Sequence, residues 1–133
     1  MALGREPRGP KRRHDDARTP EGEYRVAGPA RRSRYHLFLP IDYPSIADAE
    51  AGLAAGIVSR ATRDAIARAH EQSRMPPQET GLGGLLGLHG EGPRWRGDSE
   101  HLDWTTGCIA MGDAQIEFLA ERTPVGTRVE ILP

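Results

Sequence analysis

The chain carries one cysteine, Cys108, and a His-Gly pair, His89-Gly90, that lies 19 residues before it. A thiol becomes a nucleophile when a nearby imidazole takes its proton, so these two residues form a candidate nucleophile and base. On that pairing Cys108 is expected to react with alkylating agents faster than a model thiol near pH 7, and His89→Ala to slow the reaction. The residues just before the thiol, Thr105-Thr106-Gly107, would present backbone N–H groups to a carbonyl oxygen gaining negative charge; the N–H of Cys108 itself, with that of Gly107 or Thr106, is the natural pair. A lone cysteine with no such flanks is more often an inert core residue. One cysteine excludes an internal disulfide and a multi-cysteine metal cluster. His89, Glu91, His101 and Cys108 match no standard zinc spacing, so no metal and no cofactor is expected.

The motif Asp103-Trp104-Thr105-Thr106-Gly107-Cys108-Ile109-Ala110, with His89-Gly90 ahead of it, resembles the L,D-transpeptidase family of YkuD-type catalytic domains, and within it the murein branch that reads Asp-Trp-Thr-x-Gly-Cys-Ile-Ala. Two further blocks resemble the same branch: Gly9-Pro10-Lys11 with Asp16 to Tyr24, and Tyr35-His36-Leu37 with Ile41-Asp42-Tyr43-Pro44. Where many family members have His before the Gly-Cys pair and Arg two residues after it, this chain has Thr106 and Ala110. The resemblance implies a small α+β fold, mainly β with a few helices, and one catalytic domain over residues 1–133 that lacks the family's N-terminal hairpin. It implies a helical insert at 45–80. It also implies acyl transfer between peptidoglycan stem peptides through a thioacyl-enzyme on Cys108, with His89 as base. A cysteine peptidase or amidase acting on the same polymer is the alternative, and an inactive or wall-binding fragment the second. Substrate-contacting candidates are Arg18, His36, Trp104 and Thr105, and Gly90 is expected to let the chain turn behind the imidazole.

The elements that must position these residues are legible in outline. Leu85 to Leu88 runs straight into His89 and reads as a buried strand; Tyr35 to Ile41 reads as another; Arg128 to Leu132 alternates as a half-buried strand does. Ser45 can cap a helix with Asp48 three residues on, Ser59 or Thr62 can cap one through about Ser73, and Asp113 can cap a third with Ile116 facing inward. Thr19-Pro20-Glu21-Gly22 has turn chemistry, and Arg31 to Arg34 reads as a basic loop. The segment 91–103, rich in Gly, Pro and charge, is expected to form a mobile wall or lid.

Composition bounds the partners. At 133 residues and 37% hydrophobic the chain has room for one modest core. Residues 1–34 balance at +5 and the remainder at −6. The basic run Lys11-Arg12-Arg13 has no interleaved aromatics and is cut by Asp15 and Asp16, so it reads as a solvated loop over the site, and no nucleic-acid partner is expected. No run approaches the ~18 apolar residues of a membrane span. The family resemblance implies the periplasm or cell envelope. The N-terminus has Arg and Pro where a signal peptide is apolar, which predicts a cytoplasmic chain or a start placed too far downstream. The sequence carries no signal for oligomeric state.

Overall fold

The computed structural model describes residues 1–133. It is a mixed α+β structure of six strands and three helices. The strands are β1 (Gly22–Arg25), β2 (Arg31–Ser33), β3 (His36–Pro40), β4 (Gly87–His89), β5 (Ile109–Ala110) and β6 (Arg128–Ile131); the helices are α1 (Ile46–Ala54), α2 (Arg60–Glu71) and α3 (Asp113–Ala120). One sheet has the order β2-β3-β4-β5, and β1 pairs with β6 in a second. All neighbours are antiparallel except β4 and β5, which run parallel with Leu88 opposite Ile109 and His89 opposite Ala110. The outer edge of β5 is covered by the first residues of the chain. Ala2 and Ala110 exchange two backbone hydrogen bonds of 2.8 Å, the Arg5 N–H donates to the Thr105 carbonyl at 3.0 Å, and the Thr105 N–H donates to Leu3 at 3.1 Å.

Alternation along the strands divides the four-stranded sheet into two faces. Leu39, Leu88 and Ile109 join Tyr24, Val26, Ile41, Tyr43, Ile66, Leu82, Met111 and Ile116 in the main core. His89 and Ala110 fall on the opposite face, where Ala2, Trp104 and Ala110 form a second, smaller apolar cluster flanked by Tyr35 and Trp95. The strand that ends at the imidazole therefore has its preceding leucine anchored in the core. α1 opens with a full capping box, in which the Asp48 N–H donates to Ser45 Oγ at 3.1 Å and the Ser45 N–H donates to Asp48 Oδ2 at 2.9 Å. Ser59 is the cap of α2, and Ile66 and Ala69 are its buried side. Gln78 ties the segment from 45 to 80 to the chain on both sides of it, and Tyr43 closes the same junction. The Tyr43 hydroxyl donates to the Leu82 carbonyl at 2.8 Å, and Gln78 Nε2 donates to the Tyr43 carbonyl at 2.7 Å while its Oε1 accepts the Leu85 N–H at 2.8 Å.

Three local expectations are corrected. The strand before His89 is only three residues long, because Gly83 and Leu85 both have positive φ (81° and 57°) and turn the chain; Leu85 is exposed, not buried. Arg31 to Ser33 is a strand, paired with β3 at the sheet edge where charged side chains stand in water. Gly112, not Asp113, is the cap residue of α3, since Asp113 Oδ1 instead accepts the N–H groups of Glu91 and Gly92 at 2.9 and 3.0 Å.

Ile66 is fully buried between α2 and the core. Ile66→Ala should lower unfolding free energy by about 2–5 kcal/mol in urea titration.

Candidate active site

Cys108 and His89 line one cavity of about 730 Å³, together with Lys11, Tyr35, Phe38, Leu85, Leu86, Trp95, Trp104, Thr105 and Thr106. The parallel pairing explains the meeting, since Leu88 stands opposite Ile109 and His89 opposite Ala110, which puts Cys108, just before β5, at the register of Gly87 and so two residues along the sheet from His89. The turn that carries the thiol is held by the Thr105 hydroxyl, which accepts the Gly107 N–H at 3.1 Å and donates to the Cys108 carbonyl at 2.7 Å. Gly107 has φ +142°, and a Cβ there would stand 2.8 Å from the Arg18 carbonyl oxygen, so glycine is required by backbone conformation and by space together. With the Gly107 N–H occupied, the N–H groups of Thr106 and Cys108 are left free to donate.

The imidazole is enclosed by rings. Tyr35 stacks on His89 with centroids 4.5 Å apart, Trp104 meets it edge-on at 5.4 Å, and Trp95 stacks on Trp104 at 4.7 Å. His89 Nδ1 lies 2.7 Å from the Gly90 carbonyl oxygen. A carbonyl can only accept, so Nδ1 carries the proton and Nε2 keeps its lone pair. Burial depresses the His89 pKa; the Arg34 cation adds to this, and the bond to Gly90 opposes it. The ring is therefore neutral at pH 7, a base and not a cation. Gly90 itself is needed because a Cβ would meet Asp113 Oδ1 and the Tyr35 carbonyl oxygen, each at 2.5 Å.

The thiol sits in a half-buried pocket and donates to the Leu85 carbonyl at 3.8 Å. No hydrogen bond joins it to His89 in this arrangement. Burial pushes its pKa up to about 11, against the pull of the Gly87 N–H and the Lys11 cation. These surroundings favour a neutral thiol and a neutral imidazole at rest, and the rate of alkylation should climb as pH rises toward 11.

The other candidates divide. Trp104 is buried, with its Nε1–H donating to Ser99 Oγ at 3.1 Å, and lines the cavity; Thr105 is buried below the turn; Thr106 is exposed at the rim. His36 lies outside, with Nε2 2.6 Å from Glu117 Oε1 of α3. Arg18 lines a neighbouring cavity of about 590 Å³, and only its backbone touches the site, through Gly107. Glu91, which sequence reasoning treated as loop charge, is buried; its carboxylate accepts the N–H groups of Gly97 and Ser99 at 2.7 and 3.0 Å and fixes the 91–100 loop. Burial raises the Glu91 pKa, but those two backbone donors outweigh it and hold the carboxyl below its usual range. Tyr35 and Lys11 were also missed as site residues. Lys11 is buried and not solvated, and the signal for it was an acid, Asp16, five residues on across a turn.

Two outcomes test this geometry. Gly107→Ala should destabilise the fold by about 1–3 kcal/mol in thermal or urea unfolding, from positive-φ strain and the contact with Arg18. In an NMR titration, His89 should protonate below the ordinary histidine value. Because its folded pKa is lowered, the unfolded chain binds that proton more readily, so its contribution to stability is intact above the unfolded value near 6.5 and is lost as pH falls through the folded one.

No curated protein matches the chain. The family model of the YkuD domain, the L,D-transpeptidase catalytic domain, matches residues 1–131. With nearly the whole length covered, the chain belongs to the YkuD family of L,D-transpeptidase catalytic domains.

Proposed function

We propose that the protein is a peptidoglycan L,D-transpeptidase in which Cys108 is the nucleophile and His89 its base. The reading is supported by a single observation on a chain of this family. The one cysteine and a histidine with an unprotonated Nε2 line the same cavity, behind a turn that leaves two backbone N–H groups free.

The donor stem peptide enters the cavity and displaces water, and the thiol turns from the Leu85 carbonyl to His89 Nε2. The proton passes from sulfur to Nε2 as sulfur attacks the peptide carbonyl carbon, whose π electrons move to oxygen. The N–H groups of Cys108 and Thr106 receive that oxyanion. On collapse the C–N bond breaks, the terminal residue leaves as an amine carrying the proton from Nε2, and a thioester remains on Cys108. An amine from a second stem then attacks the thioester, gives its proton to Nε2, and expels the thiolate, which is reprotonated from His89. Atoms balance with one amine lost and one gained, and no cofactor is used. Trp104 and Trp95 wall the cavity against water, which would otherwise resolve the thioester as hydrolysis. Trp104 and Thr105 act on the substrate side as ring wall and turn brace. Such a polymer substrate places the protein in the cell envelope.

Incubation with purified muropeptides, read by mass spectrometry, tests the proposal. A cross-linked dimer is expected; a monomer short of one residue would identify a peptidase instead, and intact starting material would contradict both. Cys108→Ser should abolish product, and His89→Ala should lower kcat by about 10²–10⁴-fold. The acid limb of the pH profile of kcat/KM should fall as pH drops through the lowered His89 value, since protonated imidazole cannot take the thiol proton.

A further inference from the structure

Lys11 is a buried cation that the reaction above does not use. Its side chain is 4% exposed, its Nζ donates to Asp16 Oδ1 at 2.8 Å and to the Arg13 carbonyl at 3.1 Å, and the residue lines the same cavity as Cys108. Two of the three ammonium protons are thereby engaged. Asp16 is fixed in turn, because its carboxylate also accepts the N–H groups of Arg12, Arg13 and Arg18 at 2.7, 3.0 and 3.2 Å. The position of the ammonium is set by the folded loop and not by the reach of a free side chain. Its stem lies along the segment that holds the thiol: a Cβ on Gly83 would be 3.4 Å from Lys11 Cε, and two residues later the Leu85 carbonyl accepts the thiol proton.

The other charges on this wall have their own engagements. Arg34 and Arg94 lie over the rings of Tyr35 and Trp95 at 4.9 and 5.2 Å, His14 faces Asp15 at 3.3 Å, Glu91 is held by backbone N–H groups, and His89 is neutral and bonded to Gly90. Lys11 is the buried cation among them. A Lys–Asp pair can also serve only to brace a loop, and a brace needs no place in a cavity wall.

We infer that Lys11 is a positioning residue for the nucleophile: clamped by Asp16 in the wall beside the thiol segment, its ammonium stabilises the negative charge that sulfur carries once the proton has left. The assignment rests on the reading of Cys108 as nucleophile. The burden it meets is the one set by burial, which favours the neutral thiol; a fixed cation recovers part of that loss for the anion alone, so it speeds the step without charging the resting site. Asp16 is then a moderator, because its carboxylate offsets some of the ammonium's field at the sulfur.

The test is the second-order rate of Cys108 alkylation by iodoacetamide between pH 8 and 10, followed by intact mass, in the full chain and in Lys11→Met, Lys11→Arg and Asp16→Asn. Lys11→Met should slow alkylation about three- to tenfold at each pH, Lys11→Arg should restore most of the rate, and Asp16→Asn should accelerate it. A loop brace predicts otherwise, because both Lys11→Met and Asp16→Asn loosen the same loop and would both speed access to the thiol. Rates that move together in those two variants, or a Lys11→Met rate equal to the parent, would overturn the assignment. The readout needs no turnover, so a protein that makes no product from muropeptides but shows the opposed rates would refute the transpeptidase reading and leave the role of Lys11 standing.

Discussion

The site depends on the parallel pairing of β4 with β5. Parallel strands cannot be joined by a tight turn, and the connection here, residues 90–108, is long enough to carry Trp95, Trp104 and the Thr105–Cys108 turn around the end of the sheet. The Met111 N–H donating to the His89 carbonyl at 3.0 Å locks the register. A slip of one residue would send His89 into the main core and Leu88 into the cavity. Core packing of Leu39, Leu88 and Ile109 on one face is therefore what keeps the imidazole on the other.

Enclosure has two opposed consequences. The rings of Tyr35, Trp95 and Trp104 desolvate the imidazole and keep it neutral, with a lone pair on Nε2 fixed by the Gly90 carbonyl. Burial also raises the thiol toward 11. Both groups at rest are thus uncharged, and proton transfer is costly until a substrate carbonyl offers the sulfur somewhere to place its electrons. The role proposed for Lys11, a buried lysine held by the half-buried Asp16, fits these surroundings, because a fixed cation would act on the anion and not on the resting thiol.

Much of this was legible in the residues, and the failures have physical reasons. The Thr105–Cys108 turn, His89, the caps at Ser45 and Ser59 and the alternation of β6 depend on local chemistry, which a short window of sequence contains. The short length of β4 was not visible, because the positive φ of Leu85 is imposed by its neighbours and is unusual for that residue type. Arg18 and His36 are candidates by their place in matching blocks, and a sequence pattern does not carry side-chain direction: Arg18 lines the adjacent cavity and His36 pairs with Glu117, so neither lines the cavity of Cys108. Lys11 looked like part of a solvated basic run because charge counting cannot see that Asp16 folds back onto it. The pairing of residues 2–5 with Thr105 and Ala110 joins positions a hundred residues apart, beyond any pattern that periodicity reveals.

The central claim is that the acyl group of a stem peptide rests on Cys108 during turnover. Rapid quenching of the enzyme with a tetrapeptide muropeptide, followed by intact mass and proteolytic mapping, tests it most directly. The account predicts one adduct, with the mass of the substrate less its terminal residue, attached at Cys108 and diminished in His89→Ala. Product formation with no adduct on Cys108, or with the adduct on another residue, would contradict it.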